Sequence, residues 1–250
     1  MQLKTKSQSN RFYRNQVRET SLKSFQVLVA ETDLFIYATH DLSTEAYEQV
    51  IKCRDHLESF IRQHPSFAST LTPWTNAQPA PEIVRQMIHA SQSAGVGPMA
   101  SVAGVIAEMV GTCLLQYSNE IIVENGGDLF IHKKQPFNVG IYAGNSPFSN
   151  RIGIHVDSVG ESLSICTSSA VIGHSLSFGK ADAVTIRARS AALADAIATA
   201  TANRIKNRDD ISSAIDFAKN IAGVDGVLVL MGSAMGAWGN LEIIPMTMDD

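Results

Sequence analysis

Three short motifs combine carboxylates, hydroxyls and glycines in spacings that suit the binding of a charged ligand. The first is Glu124-Asn125-Gly126-Gly127-Asp128, a polar glycine pair between two apolar runs. Glycines allow backbone N–H groups to approach a phosphate or another anion closely. The same residues also suit a tight hairpin turn, for which Asn-Gly is a strong signal. Both interpretations stay open, and the two flanking carboxylates favour a ligand because a turn does not require them.

The second motif surrounds His174, which stands in a segment rich in serine and threonine that runs from residue 162 to residue 182. Hydroxyls beside an imidazole suit a loop that hydrogen-bonds a polar ligand, and His174 is a candidate general base. The candidate ligand-binding hydroxyls are those of Thr167, Ser168 and Ser169. Alternatively, these hydroxyls end strands through bonds to the local backbone. A nucleophile at Cys166 or Ser168 is a third interpretation, but no G-x-S-x-G elbow accompanies it.

The third motif is the alanine-rich segment 190–203, which contains Asp195 and Thr199. Residues four apart lie one turn apart on the same face of a helix. A carboxylate and a hydroxyl placed in this way are hard oxygen ligands of the kind that Mg²⁺ prefers. In the alternative interpretation, Thr199 bonds back to the preceding turn and Asp195 lies at a solvated end of the helix. The alanines predict that other backbone packs closely against this helix.

The elements that must position these motifs follow from apolar periodicity and turn residues. Before the first motif we predict strands at 11–18, 25–31 and 33–39, the last two forming a hairpin, and amphipathic helices at 43–63 and 83–94. The segment from Pro98 to about Tyr117 is apolar almost all round and carries Glu108 in its middle. A charge there disfavours a membrane span, so we predict a buried central helix.

The remainder of the chain is dominated by short strands. They are predicted at 120–124, 128–133, 137–144, 151–156, 162–167, 182–189, 226–231 and 241–246, with helices at 191–205 and 211–221. The Gly-rich stretch LMGSAMGAWG, which includes Met235 and Trp238, is expected to pack or turn. Because runs of strands are followed by runs of helices, the sequence favours an α+β fold with largely antiparallel sheets. We predict a single domain over 1–250 with two β-rich halves, each carrying a pair of helices.

Composition narrows the possible partners. The 250 residues carry a formal net charge of -4, which gives no electrostatic reason to expect nucleic acid or an anionic membrane as the partner. Three cysteines lie far apart without metal-binding spacing, which is typical of a reducing compartment. The polar, basic start of the chain shows no apolar signal region. These features predict a cytoplasmic protein that binds neither nucleic acid nor a membrane.

Taken in order, VENGGDLF (123–130), CTSSAVIGHSLSFGKADAVTI (166–186) and ADAIATATAN (194–203) resemble the ApbE superfamily of flavin transferases. The chain is more similar still to the short, uncharacterised cytoplasmic branch of that superfamily, over nearly its whole length. The resemblance implies a T-fold-like α+β architecture with an internally duplicated core. It also implies an activity, in which the pyrophosphate of FAD is cleaved and FMN is attached to a threonine of an acceptor protein, with Mg²⁺ required.

The same resemblance implies a role for individual residues. Asn125, Gly126, Gly127 and Asp128 would line the ligand pocket, His174 would accept the proton of the incoming hydroxyl, and Asp195 and Thr199 would hold Mg²⁺. Pro98-Met99-Ala100-Ser101 stands where flavin transferases carry a Lys-Gly pair, and no lysine occurs from 95 to 111. This departure points to a changed substrate. The alternative function is therefore a binding protein without catalysis, a carrier or sensor of a phosphate-bearing metabolite, with a homo-oligomer as the expected assembly.

Overall fold

A computed structural model of the protein describes residues 22–76, 78–157, 160–169 and 179–246. Its first elements are strand β1, Lys23–Val29, and strand β2, Thr32–Ala38, which pair antiparallel and confirm the predicted hairpin. Alternate residues of β1 are buried, as a strand with one solvated face requires. The strand predicted at 11–18 lies outside the described residues.

Three helices follow the hairpin. They are α1, Ser43–Gln63, α2, Glu82–Ala94, and α3, Val102–Leu114. Gly95 ends α2 in the left-handed conformation, with φ of 71°, which glycine adopts without a steric penalty. The predicted helix from Pro98 to about Tyr117 is shorter, because Pro98–Ser101 forms a 3₁₀ turn before α3. In that turn the Ser101 hydroxyl donates to the Pro98 carbonyl oxygen at 2.8 Å, so a side chain replaces the first helical bond.

Helix α3 is buried along most of its length, as its sequence predicted. Within the described residues, no single helix is long and apolar enough to cross a membrane. Only α2 combined with Pro98–Leu114 reaches that length and composition, and the chain bends by 102° between them.

Six strands, two helices and three further strands complete the chain. The strands are β3, Ile121–Asn125, β4, Asp128–His132, β5, Phe137–Gly140, β6, Ile152–Val156, β7, Ser162–Ser168, and β8, Ala183–Ala188. Helices α4, Ala191–Arg204, and α5, Asp210–Lys219, come next, followed by β9, Val224–Met231, β10, Ala234–Gly239, and β11, Glu242–Pro245. All these elements except β10 were predicted, within a few residues at each end.

Strand β10 falls in the Gly-rich stretch that was expected to pack or turn. It pairs with β9 across a short turn that contains Gly232, whose φ is 56°. A Cβ on Gly236 would come within 2.7 Å of Ile211 and 2.8 Å of Ile215, so this glycine makes room for α5. Because small residues replace the usual β-branched ones, the stretch lacks the pattern by which a strand is recognised.

The strands form two sheets, and all pairings are antiparallel. The large sheet has eight strands in the order β1-β2-β3-β4-β7-β8-β9-β10, and the small sheet has three in the order β11-β6-β5. One hydrophobic core lies between the helices and one face of the large sheet. A second core lies between its other face and the small sheet. The α+β fold is therefore confirmed, as three stacked layers.

The same order of strands and inserted helices occurs twice in the large sheet. Strands β1 to β4 lie in sequence order with α1, α2 and α3 inserted between the second and third strands. Strands β7 to β10 follow the same order, with α4 and α5 inserted at the corresponding place. The two runs meet where β4 pairs with β7. This order agrees with an internally duplicated core, while the extent of the single domain over 1–250 stays a prediction.

Helix α4 lies at the junction of the two runs, against β7, β8 and α3. Its alanines are buried, as the close approach predicted from sequence requires. Helix α3 approaches it closely at Gly104, where a Cβ would overlap the Ala191 carbonyl group and lie 2.9 Å from the Asp195 Cβ. A larger residue at 104 would therefore separate α3 from α4.

We expect Gly104→Ala to destabilise the protein by about 1–3 kcal/mol, because overpacking of backbone against backbone cannot be relieved by a rotamer change. The same substitution in an open helix would stabilise it by roughly 0.5–1 kcal/mol. Urea unfolding followed by circular dichroism measures the sign directly. A gain in stability for Gly104→Ala would show that the two helices are not in close contact.

Candidate functional site

The first motif forms the hairpin between β3 and β4. Asn125 and Asp128 are cross-strand partners, and the two glycines make the turn, with Gly126 at φ of 71°. The carbonyl oxygen of Gly127 accepts a hydrogen bond from the Thr167 N–H at 3.0 Å, and a Cβ on Gly127 would lie 2.7 Å from the Thr167 carbonyl oxygen. The motif is therefore a tight turn held against β7, and its glycine permits that contact.

The two carboxylates of this motif, Glu124 and Asp128, lie on opposite faces of the large sheet. Asn125 points to the helical layer, because its Nδ2 donates to the Ala103 carbonyl oxygen of α3 at 3.0 Å. Its cross-strand partner Asp128 shares that face. Glu124 precedes Asn125 in the strand and so lies on the face toward the small sheet. Only Asp128 of the two acids is placed beside the helices.

Each of the helices α3 and α4 supplies a carboxylate that binds the N-terminal end of the other helix. Asp195 Oδ2 of α4 accepts a hydrogen bond from the Gly104 N–H of α3 at 2.9 Å. Glu108 Oε2 of α3 accepts from the Ala191 N–H at 2.7 Å and from the Ser190 hydroxyl at 3.0 Å. The first N–H groups of a helix have no partner within it and carry partial positive charge, so each acid both caps and neutralises a helix end.

Asp128 and Asp195 form a buried acid pair. Burial raises the pKa of Asp128 well above its usual range, and the nearby charge of Asp195 raises it further. Burial also raises the pKa of Asp195 to about 7, although the hydrogen bonds from the Gly104 and Ala103 N–H groups oppose this rise. A buried acid whose ionisation a second buried acid opposes, with no ion pair to a basic side chain among the described residues, is typical of a cation site or a functional centre.

Cys166 lies opposite Asp128 on β7, and its Sγ donates to the Ala191 carbonyl oxygen at 3.5 Å. Burial raises the pKa of this thiol well above its usual range, and the charges of Asp128 and Asp195 add to the effect. A nucleophilic cysteine requires a thiolate, which needs a positive environment instead. The geometry therefore gives no support to a hydrolase that uses Cys166.

The predicted hydroxyls occupy the end of β7, next to the glycine turn. Ser168 is buried on the same side as Cys166, two residues away. The Thr167 hydroxyl is on the other face and lies 2.9 Å from the Thr185 hydroxyl, and the Ser169 hydroxyl donates to the Asp182 carbonyl oxygen at 2.6 Å. Neither bond is local in sequence: the first joins two side chains across neighbouring strands, and the second joins a side chain to backbone 13 residues away. His174 lies outside the described residues.

Thr199 is buried one turn after Asp195 on α4, as the spacing required. The structure thus brings Asn125, Asp128 and Asp195 together at the junction of the two strand runs, while Ser168 and Thr199 are buried nearby in sequence on β7 and α4. Among the described residues, no group of three or more His, Cys, Asp or Glu side chains is close enough to hold a metal by itself. A metal here would need hydroxyl, backbone or ligand oxygens in addition to carboxylates.

Glu108 and Gly104 are site residues that the motif analysis did not assign. Glu108 was visible as the charge in the middle of an apolar helix, but a position in one helix does not reveal which helix end it caps. Gly104 was visible as a small residue in the same helix. Both roles depend on how α3 and α4 approach each other, which spacing within one segment does not specify.

Comparison with known proteins agrees with this arrangement. A family model described as AbpE bacteria matches residues 14–231. The chain belongs to this family. A UPF0280 protein of Methanocaldococcus jannaschii is 39% identical over 228 residues, covering 89% of this chain and 93% of the relative. A UPF0280 protein of Methanospirillum hungatei is 40% identical over 216 residues, covering 86% of each chain. These relatives confirm the short branch that the sequence resembles.

Comparison with solved structures shows that this member of the AbpE bacteria family has the ApbE fold. The flavin transferase ApbE of Vibrio cholerae matches with a TM-score of 0.60 at 10% identity, covering 88% of this chain and 97% of that protein. The apo form of the Pseudomonas stutzeri flavinyl transferase ApbE matches with a TM-score of 0.58 at 13% identity, covering 87% and 94%. At such low identity the match establishes the architecture, while the site must be argued from this chain's own residues.

The raised pKa values predict how stability depends on pH when cations are removed. Between the usual aspartate pKa near ~4 and the folded value, the folded state keeps a proton that the unfolded state has released, so stability falls as pH rises through this range. When a chelator has removed divalent cations, we expect Asp195→Asn to raise the unfolding temperature, relative to wild type, more at about pH 8 than at about pH 5. Thermal unfolding at both pH values measures this difference.

The matched control for that experiment is Asp225→Asn, which removes an exposed carboxylate near the start of β9, a strand that β8 separates from β7. The control should shift the unfolding temperature equally at both pH values. An equal shift for Asp195→Asn would contradict a raised pKa at that position.

Proposed function

We propose that this member of the AbpE bacteria family binds FAD, or another nucleotide diphosphate, together with Mg²⁺, and transfers FMN to a threonine of an acceptor protein. The observation that carries the proposal is the buried acid pair at the junction of the two strand runs. There the glycine turn, the end of β7 and the Asp-x-x-x-Thr face of α4 meet. Named flavin transferases share the overall fold of this chain.

The side chains present fit a magnesium ion. Asp195 and Thr199 offer a carboxylate and a hydroxyl on one helix face, and one buried oxygen of Asp128 has no hydrogen-bond partner among the described residues. Mg²⁺ accepts few protein oxygens and completes its sphere with waters and phosphate oxygens. When bound, the ion would neutralise charge on the pyrophosphate. Asp195 and Thr199 are the residues that we propose to hold it.

The proposed reaction is a phosphoryl transfer. The threonine Oγ of the acceptor forms a bond to the phosphorus of the FMN half, the bridging P–O bond breaks, and AMP leaves. The hydroxyl proton passes to a base, for which His174 is the candidate that the sequence supplies. The backbone of Gly126 and Gly127 and the hydroxyls of Thr167, Ser168 and Ser169 are proposed to contact the ligand. A cytoplasmic location and a homo-oligomer belong to the same proposal.

Isothermal titration with FAD, with and without Mg²⁺, tests the binding step. We expect FAD to bind the wild-type protein more tightly with Mg²⁺, and Asp195→Ala to lose about tenfold or more in affinity, together with the Mg²⁺ effect. Asp225→Asn should retain both. Absence of FAD binding under either condition would contradict the flavin proposal while leaving the fold assignment intact.

The catalytic step needs a separate readout, the release of AMP from FAD in the same mixtures. A transferase should release AMP when an acceptor or water takes the FMN group, and His174→Ala should lower this rate while it leaves FAD affinity nearly unchanged. Tight binding without AMP in the presence of a cell extract that supplies acceptors would instead favour the carrier or sensor.

A further inference from the structure

Three carboxylates lie close together beneath α3 and α4. The charges of Asp128, Asp195 and Glu108 all act on the Cys166 thiol between them. The ion pairs found among the described residues involve other acids, and none joins Lys, Arg or His to these three. Asp128 and Asp195 are buried and Glu108 is half-buried, so this group needs another source of positive charge, because an uncompensated carboxylate is costly to bury.

Two of the three acids find positive charge at a helix end. Asp195 accepts from the Gly104 N–H at the start of α3, and Glu108 accepts from the Ala191 N–H at the start of α4. No third helix end serves Asp128. It is 6% exposed, and its Oδ1 is buried without a hydrogen-bond partner among the described residues.

A buried carboxylate oxygen that has no hydrogen-bond donor and lies next to a second carboxylate is stabilised either by a proton or by a cation. A proton serves Asp128 alone and leaves the Asp195 carboxylate with only the start of α3 to compensate its charge. A divalent cation serves both acids at once, and each carboxylate has enough lone pairs to bind it while Asp195 keeps its bond to Gly104. The hard oxygens of two carboxylates and the Thr199 hydroxyl are suited to Mg²⁺ or Mn²⁺.

We propose that Asp128 is a ligand of the divalent cation, so that one carboxylate from the sheet and one from α4 hold the ion before any nucleotide arrives. This inference rests on the proposed function for the role of Asp195. It adds that the glycine hairpin contributes a metal ligand, and it explains why Asp128 faces the helices while Glu124 does not. It also implies that the protein recognises the cation by itself and the nucleotide afterwards.

Calorimetric titration with Mg²⁺, and titration with Mn²⁺ followed by electron paramagnetic resonance, test the proposal without any nucleotide. The variants are Asp128→Asn, Asp195→Asn and the control Asp225→Asn. Asparagine keeps the size of the side chain and removes the charge. We expect each site variant to weaken cation binding by about tenfold or more, as loss of a metal-site residue commonly does, while the control stays within about twofold of wild type.

The unfolding temperature provides a second test. A residue with only a structural role would not give the result that we expect for a metal ligand. In chelator, Asp128→Asn should unfold at the same temperature as wild type or higher, since a buried like-charge contact is removed. In saturating Mg²⁺ the order should reverse, because only wild type gains the full stabilisation from the bound ion. Such a reversal also shows that the variant is folded.

The possible results separate this inference from the proposed function. If Asp195→Asn weakens binding and Asp128→Asn stays within about twofold of wild type, the role of Asp128 is overturned and the proposed function stands. Cation binding that appears only after FAD is added overturns the order of binding but keeps the metal-dependent function. If wild type binds no cation with or without FAD, both proposals fail.

Discussion

The exchange of carboxylates between α3 and α4 is the contact on which the candidate site depends. Glu108 of α3 caps α4, and Asp195 of α4 caps α3, so neither helix can shift without breaking a charged hydrogen bond of the other. The close approach at Gly104 allows this exchange, because any side chain there would meet the backbone of α4. Asp195, which we propose as a metal ligand, is also a helix cap, so its position is set by two elements.

The same contact determines the charge of the site. The two helix ends supply the positive potential that the carboxylates can use, and both are already engaged by Glu108 and Asp195. Asp128 enters from the sheet, and one of its two carboxylate oxygens, Oδ1, is buried without a hydrogen-bond partner among the described residues. The centre therefore carries more negative charge than its surroundings compensate, which favours a cation and, through it, an anionic ligand such as a pyrophosphate. Residues 95–111 contain no lysine, and the bridge that we propose between these acids and a phosphate is a cation.

The repeated strand order explains where this chemistry is located. Each run of four strands places its helices over one face of the sheet, and β4 and β7 join the runs edge to edge. Helices α3 and α4 lie over this joint, from opposite runs. Asp128 at the start of β4 and Cys166 near the end of β7 are then partners across the joint. The motifs are far apart in sequence, and the junction brings them together.

The sequence by itself determined most of the elements and the motifs. Apolar periodicity revealed every described helix and every described strand but β10, whose small residues hide the pattern because they make room for α5. Asp195 and Thr199 were predictable as one helix face because helical geometry is local. Tertiary structure alone decided that Asp128 rather than Glu124 faces the helices, that Glu108 caps α4, and that Cys166 is a buried thiol. Each depends on which surfaces meet across the β4–β7 joint, and long-range packing, rather than spacing along the chain, selects those surfaces.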